Sequence, residues 1–161
     1  MARGCWLVKT EPDVYSIDRF AAEGRTVWDG VRSHEAQNAL RDGMKVGDEV
    51  LVYHSNADPS AIVGTARVVR EAYPDASAWT KGHRYADPAS DPRKPTWFCV
   101  DLAFESRLAC PLTLERIKED AGLRRMALVT RPRLSVQPVR PAERDRILAL
   151  AGPARSFARD P

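Results

Sequence analysis

The stretch TVWDGVRSHEAQN, Thr26–Asn38, places a short β-like segment, a large aromatic, a turn and a predicted helix start next to one another. Trp28 ends the β-like segment, the Asp-Gly pair after it predicts a tight turn, and Ser33 is a favourable helix N-cap. Glycine lets another segment approach the backbone closely, a helix start offers free N–H groups, and tryptophan offers a flat face. The stretch therefore predicts one wall of a binding pocket.

On both sides of this stretch, apolar runs and alternating patterns predict about six or seven strands, and capping residues predict four short helices. The β-like segments are Cys5–Lys9, Thr26–Val27, Glu49–His54, Ala61–Tyr73, Trp97–Arg107, Ala127–Thr130 and Leu134–Val139. The predicted helices start at Ser16, Ser33, Thr113 and Pro141. Gly64 interrupts the longest β-like run and predicts a bulge. Pro74–Pro95 predicts a long ordered loop or a lid, because aromatic residues are unusual in free linkers.

The strands and helices show no regular βαβ alternation, which favours an α+β fold. We expect a small, mostly antiparallel β-barrel or curved sheet flanked by short helices. A chain of 161 residues with 43% hydrophobic residues is long enough for one well-formed core. The expected organisation is a single domain over residues 1–152, followed by a frayed tail over residues 153–161.

Cys5, Cys99 and Cys110 have no CxxC spacing, so neither a disulfide framework nor a zinc site is expected. Unpaired cysteines are typical of a reducing compartment, which predicts a cytoplasmic location. The apolar run CWLV ends at Lys9 and is too short for a signal-peptide core or a membrane span. We therefore expect no membrane segment, no bound metal and no cofactor.

The sequence contains no GxSxG, P-loop or GxGxxG signature of catalysis. His34, His54 and His83 lack metal-ligand spacing. His54 and Ser55 are adjacent on a predicted strand, where neighbouring side chains point to opposite faces, so they cannot act together as base and nucleophile. An enzyme with Asp29, His34 or His54 as the acid or base stays open as an alternative.

Features of a base-binding pocket are better represented. Such a pocket needs flat faces for stacking, a few fixed polar groups that read the base edge, and cations for phosphate. Trp28 lies at a turn, and Tyr53 shares a strand face with Ser55 at the strand end. Packing in the core is the competing interpretation for both aromatics, and it is the favoured one for Trp6 and Trp97.

Several longer motifs occur in a recognisable order. They are WLVKTEP from Trp6, WDGVR from Trp28, YHSN from Tyr53, IVG from Ile62, EAYPD from Glu71, Trp97 with VD from Val100, and TRPRLSVQPV from Thr130. In this order they closely resemble the EVE domain family, and the resemblance covers residues 5–150. It implies a PUA-like fold, a small β-barrel flanked by helices and related to the YTH and ASCH domains. It also implies a cleft for a flipped, often modified base, namely modified cytosine in DNA for EVE-like domains and RNA for PUA relatives.

Carried over motif by motif, the resemblance implies a set of ligand-binding residues. These are Lys9, Trp28, Gly30, Val31, Arg32, Ser33, His34, Tyr53, His54, Ser55, Arg131, Leu134 and Ser135. We expect Trp28 or Tyr53 to stack on the base, and Ser55 with backbone groups to read its edge. Lys9 and the two arginines of this set are expected to meet phosphate or an exocyclic oxygen.

The chain departs from the family pattern directly after WDGVR. The family usually continues with Asn, Tyr, Gln and Ala, then Arg-Asn, whereas this chain has SHEAQN from Ser33. His34 replaces an aromatic, acidic Glu35 replaces a neutral residue, and neutral Gln37 replaces a cation. The lower positive charge predicts weaker phosphate contact at this rim, and His34 predicts pH-dependent stacking.

The function expected from these observations is that of a monomeric, non-catalytic module. It would bind DNA or RNA that carries a modified base of the modified-cytosine class. The net charge of +3, from 25 basic and 22 acidic residues, permits this contact and equally fits an ordinary solvated surface. An enzyme or a small-molecule sensor that acts on a nucleotide-like ligand in the same cleft stays open.

Overall fold

The computed structural model describes residues 3–152 and 154–155, which form one mixed sheet flanked by short helices. The strands are β1 (Cys5–Thr10), β2 (Arg25–Trp28), β3 (Glu49–His54), β4 (Ala61–Pro74), β5 (Phe98–Thr113), β6 (Val136–Pro138) and β7 (Ala154–Arg155). The α-helices are α1 (Ile17–Glu23), α2 (His34–Asn38), α3 (Leu114–Glu119), α4 (Ala127–Thr130) and α5 (Pro141–Ala151). A π-helical turn, Ala39–Gly43, continues α2, and a 3-10 turn, Ala76–Ala78, follows β4. None of these helices is long and apolar enough to cross a membrane.

The strand order is β2-β5-β4-β3-β1-β6, with β7 paired to β5. β1 and β3 run parallel, and the other pairings are antiparallel. The predicted α+β class and the mostly antiparallel sheet are therefore confirmed. Within the described residues β2 and β6 do not pair with each other, so the sheet is not closed into the expected barrel.

Alternation along the parallel pair β1 and β3 separates two hydrophobic cores on the two sheet faces. Val8 and Val50 join the core that also contains side chains of α1 and α2. Leu7 and Leu51 join the core that contains side chains of α3, α4 and α5. Helices thus pack against both faces of this parallel pair and fix the position of its strands.

Gly64 lies at a register shift between β4 and β5, which confirms the predicted bulge. A Cβ atom at this position would lie 2.6 Å from Ile17 Cδ1 and 2.8 Å from the Ser106 carbonyl oxygen. The absence of a side chain therefore lets α1 pack directly on the sheet.

The local capping signals placed the helix starts correctly. The Ser16, Ser33 and Thr113 side chains accept hydrogen bonds from the backbone N–H three residues later, and Pro141 is the first residue of α5. These contacts depend only on neighbours in sequence, which is why they could be read from it.

The prediction of a strand at Ala127–Thr130 is wrong, because this segment is the one-turn helix α4. Its last N–H groups donate to the Met126 carbonyl oxygen at 3.0 and 3.1 Å. Leu128 is 3% exposed and packs into the core beneath α3 and α5. Tertiary burial of Leu128 thus outweighs the strand preference of the β-branched residues around it.

Residues 75–97 form an ordered loop, as predicted. The Asp87 N–H donates to the Ala78 carbonyl oxygen at 2.7 Å, and the indole N–H of Trp97 donates to the Asp87 carboxylate at 2.8 Å. The Asp75 N–H donates to the Trp97 carbonyl oxygen at 2.9 Å and joins the two ends of the loop.

The predicted frayed tail, residues 153–161, lies mostly outside the described residues. Its Ala154–Arg155 part is not frayed, because it pairs as β7 with Arg107 and Leu108 of β5. The physical reason is that β5 offers free backbone groups at this edge, which a short segment can satisfy.

Candidate functional site

A cleft of about 1430 Å³ opens at the carboxyl ends of β1 and β3. The two strands run parallel, so both end at the same edge, where the Ser55 N–H donates to the Thr10 carbonyl oxygen at 3.0 Å. The WDGVR stretch forms a second wall, and the ordered loop contributes a third through Tyr85 and its neighbours. Of the residues predicted from sequence, those that line the cleft are Lys9, Trp28, Gly30, Val31, Arg32, Ser33, Ser55 and Ser135.

Trp28 borders the cleft, but most of its ring lies in the core. It is 7% exposed, and its ring meets Tyr15 edge-on with centroids 6.1 Å apart. Phe20 lies on the core side, 6.4 Å from the Trp28 centroid. Trp28 therefore fixes the wall of the cleft and brings Tyr15 with it as a second aromatic lining residue.

Gly30 holds the turn after Trp28 in a conformation that glycine alone adopts readily. Its φ is 78°, and its N–H donates to the Asp75 carboxylate at 2.9 Å. A Cβ atom on Gly30 would lie 2.6 Å from the Tyr85 ring. The ring therefore packs directly against the turn backbone and closes this side of the cleft.

Arg32 holds the cleft wall and the ordered loop together. Its guanidinium donates five hydrogen bonds, to Asp75, Ser77, the Val31 carbonyl and twice to the Tyr85 carbonyl, at 2.8–3.0 Å. The side chain is 22% exposed, and that of Asp75 is 2% exposed. The guanidinium predicted to meet phosphate is thus occupied within the protein.

The buried carboxylate of Asp75 is well supplied with donors. Burial raises the pKa of Asp75, but hydrogen bonds from Ser77, Gly30 and Arg32 outweigh burial and hold that pKa below its usual range. Asp75 therefore stays ionised and links the WDGVR turn to the ordered loop.

Asp29 lines the cleft between Trp28 and the turn at Gly30. Its carboxylate, unlike that of Asp75, has few donors around it. It is half-buried, and among the described residues its carboxylate has no hydrogen bond to another residue. Burial and the nearby charge of Asp75 raise its pKa, whereas His83 and Arg32 lower it to a smaller degree. Sequence reasoning considered Asp29 only as a possible acid or base and not as a ligand-binding residue.

Lys9 crosses the mouth of the cleft toward the loop that precedes β6. Its ammonium donates to the Pro132 carbonyl oxygen at 2.7 Å and lies 5.8 Å from the Tyr53 centroid. Partial burial lowers the pKa of Lys9. Tyr53 itself is 4% exposed and is not among the cleft-lining residues, so it supports Lys9 from below.

The two candidate histidines lie outside the cleft lining. His34 stacks on Trp97 with centroids 4.9 Å apart and ring planes at 26°. His54 Nε2 accepts a hydrogen bond from the Ile17 N–H at 3.0 Å, and burial lowers the pKa of His54. No group of His, Cys, Asp and Glu within the described part of the chain is arranged to hold a metal ion.

Arg131 and Leu134 line a smaller pocket of about 280 Å³ that shares Ser33 and Arg133 with the main cleft. The Arg131 guanidinium forms a two-pronged ion pair with Glu35, and this contact lowers the pKa of Glu35. A cation predicted to contact phosphate is thus paired with a carboxylate within the lining of the smaller pocket.

Among the arginines that line the main cleft, Arg84 and Arg133 form no ion pair within residues 3–152, whereas the others pair with carboxylates. Arg84 lies over the Tyr85 ring, 5.5 Å from its centroid. Tyr15, Arg84 and Tyr85 line the cleft without having been predicted. The aromatic residues of the Pro74–Pro95 segment were the signal that could have led to Tyr85.

A family model described as the EVE domain matches residues 4–150 of the chain. The chain belongs to the EVE domain family. Human Thymocyte nuclear protein 1 is 36% identical over 164 residues, which cover 90% of this chain and 72% of that protein. This EVE domain also resembles a hypothetical protein from Leishmania major, with a TM-score of 0.90, 43% identity and coverage of 93% and 95% of the two chains. Human THYN1 protein, in its structure with DNA that contains 5-methylcytosine, has a TM-score of 0.89 and 36% identity, with coverage of 93% and 98%.

Proposed function

We propose that this EVE domain is a non-catalytic module that binds DNA carrying a modified base of the 5-methylcytosine class, with the flipped base in the main cleft. The observation that carries the proposal is the match over 93% of the chain to human THYN1, whose structure contains 5-methylcytosine DNA. The geometry of the cleft supports it independently, because the cleft combines aromatic walls, one unpartnered carboxylate and unpaired cations at its rim.

The base would lie between the aromatic walls of the cleft. Tyr15 lines one wall with the Trp28 ring packed behind it, and the Tyr85 ring packs on the turn at Gly30, so the lining offers flat faces of the kind on which extruded bases stack. Ser55 and Ser135 lie at the strand ends and add polar groups for the base edge. Stacking on aromatic side chains contributes about 1–3 kcal/mol per base.

Phosphates next to the flipped nucleotide would meet Arg84 and Arg133, the arginines of the cleft that form no ion pair within the described residues. Arg32 is excluded from this role by its five internal hydrogen bonds. A small number of phosphate contacts agrees with the modest net charge of +3. The affinity for DNA should therefore depend on salt, but less steeply than that of a strongly basic protein.

The test is a fluorescence anisotropy titration of labelled duplexes that differ only in one cytosine or 5-methylcytosine, repeated at several salt concentrations. We expect tighter binding to the modified duplex, with an affinity that falls as salt rises. An RNA oligonucleotide of the same sequence distinguishes DNA from RNA as the preferred ligand. Absence of binding to every oligonucleotide at low salt would refute the proposal.

Two variants locate the binding surface. Arg133→Ala should reduce the slope of log affinity against log salt by about 1, because one phosphate contact is lost. Arg124→Ala is the matched control, since Arg124 is exposed, does not line the cleft and has no ion pair within the described residues. Equal effects of the two substitutions would place the DNA elsewhere on the surface.

We further propose that the protein is a monomer and binds no cofactor. The cysteine usage predicts that it is located in the cytoplasm. Incubation with modified oligonucleotides and nucleosides, followed by mass spectrometry, tests the absence of catalysis. Product that disappears in Asp29→Asn would establish an enzyme instead. Native mass spectrometry of the purified protein tests the sensor alternative, because a sensor would retain a small ligand.

A further inference from the structure

Asp29 is held rigidly at the wall of the main cleft. On one side of it, the Trp28 ring is packed in the core with 7% exposure. On the other side, the Gly30 N–H is fixed to the Asp75 carboxylate at 2.9 Å. With both neighbours anchored, the Asp29 backbone has a defined position at the wall of the cleft, which is a requirement for a residue that selects between ligands.

Within the described residues, the only backbone or side-chain donor to the Asp29 carboxylate is the N–H of Asp29 itself, so most of its hydrogen-bonding capacity is unused. The neighbouring Asp75 carboxylate accepts four hydrogen bonds, from the Gly30 N–H, the Ser77 N–H, the Ser77 hydroxyl and Arg32. Leaving a half-buried carboxylate with so few donors costs free energy. The opposite directions of the two pKa shifts agree with this contrast, since donors hold the pKa of Asp75 down while burial raises that of Asp29.

We propose that Asp29 is a specificity-determining residue that accepts a hydrogen bond from the exocyclic amino group of the flipped base. An ionised carboxylate only accepts hydrogen bonds, and the N4 amino group of cytosine is its natural donor among the bases. Thymine has the same 5-methyl group as 5-methylcytosine but presents the O4 acceptor at this place. Thymine would place its O4 acceptor against the Asp29 carboxylate with no hydrogen atom between the two oxygens. The cleft would therefore disfavour thymine, although the two bases have nearly identical shapes.

This inference rests on the proposed function, and its test compares 5-methylcytosine with thymine rather than with cytosine. Each base is placed opposite an abasic site in an otherwise identical labelled duplex, so that no base pair has to be broken. We expect wild-type protein to prefer 5-methylcytosine by about 10- to 100-fold, the range of one good base-edge contact. Binding to 5-methylcytosine without preference over thymine would overturn the inference and leave the proposed function standing. Failure to bind any DNA would refute the proposed function itself.

Two substitutions of Asp29 give different signatures. Asp29→Ala should lower the affinity for 5-methylcytosine about 10-fold or more and leave that for thymine unchanged or improved. Asp29→Asn keeps the shape, and its amide can both accept from N4 and donate to O4, so it should keep 5-methylcytosine binding and gain thymine binding. Asp13→Asn is the control variant. Asp13 is exposed and does not line the cleft, so this variant should keep the preference for 5-methylcytosine over thymine. A wild-type preference retained in Asp29→Asn and Asp29→Ala would refute the assignment.

Discussion

The WDGVR stretch has two interpretations: the Arg32 guanidinium either holds the wall of the cleft or contacts phosphate. Replacing Arg32 with alanine distinguishes them. If its guanidinium holds the wall of the cleft, Arg32→Ala leaves Asp75, with a 2% exposed side chain, as a buried charge without its partner. Breaking such a pair costs about 3–5 kcal/mol. In a domain of this size each kcal/mol lowers Tm by about 2–4 °C, so Tm should fall by about 6–20 °C.

The assay is thermal and urea unfolding, both monitored by tryptophan fluorescence. It is performed on wild type, Arg32→Ala, Asp75→Asn and the double variant. The double variant should be destabilised by less than the sum of the single changes, with a coupling of about 0.5–3 kcal/mol. Arg41→Ala is the control, because it removes an exposed arginine whose ion pair with Asp42 lies at the surface, and its urea midpoint should match wild type. A wild-type midpoint for Arg32→Ala, together with a reduced salt dependence of DNA binding, would refute this reasoning and restore Arg32 as a phosphate ligand.

Acidification provides a second readout of the same network. Because the pKa of Asp75 lies below its usual range in the folded protein, its contribution to stability is full above the ordinary Asp pKa of about 4 and is lost as pH falls through the lower folded value. Without Arg32 the folded pKa of Asp75 rises toward the unfolded value. The acid loss of stability that comes from Asp75 should therefore be smaller in Arg32→Ala than in wild type and should be complete at a higher pH.

Three further outcomes can be checked with the same measurements. Gly30→Ala should destabilise the fold by about 1–3 kcal/mol in urea unfolding, because φ is 78° and the new Cβ would meet the Tyr85 ring, and Tyr85→Ala in the same chain should recover part of the loss. His54 has a lowered folded pKa, so its stabilising contact with the first N–H of α1 is present above the ordinary His pKa of about 6.5 and is lost as pH falls. A Tm profile that is identical in His54→Gln between pH 5 and 7 would contradict this. Glu35→Gln should release Arg131 from its ion pair and let it contact one phosphate, which steepens the slope of log affinity against log salt by about 1. An unchanged slope would show that Arg131 does not reach the DNA.

The parts of the fold that were predictable depend on neighbours in the chain. The N-caps Ser16 and Thr113, and Pro141 at the start of α5, follow from contacts within one helical turn. β1 and β3 were readable as short apolar runs because both faces of the sheet are buried against helices. The error at α4 and the open sheet have another origin, since both depend on how distant segments pack, and β-branched residues carry no information about that.

The candidate site follows the same rule. The turn at Gly30 and the strand end at Ser55, which line the cleft, could be predicted because they are local features of the sequence. It could not assign the partners of charged side chains, since Asp75 meets Arg32 from 43 residues away and Glu35 meets Arg131 from 96 residues away. The role of a cation depends on whether a carboxylate already holds it. For the same reason Asp29 was considered only as a possible acid or base. A carboxylate to which no other residue donates is recognisable only when all its neighbours are known.

The departure of this chain from the family pattern can now be located. His34 stacks on Trp97, and Glu35 pairs with Arg131 at the smaller pocket, so these two replaced residues do not line the main cleft. Ser33, which stands where the family usually has Asn, is the replaced residue that lines it. The WDGVR half of the stretch, which lines the cleft, follows the family pattern unchanged. Selectivity for the base should therefore follow that of the family, whereas the salt dependence of binding should differ, because Glu35 withholds Arg131 from phosphate. Restoring glutamine at position 35 should change the salt slope and leave the preference for 5-methylcytosine over thymine unchanged, since the two properties arise from different walls of the site.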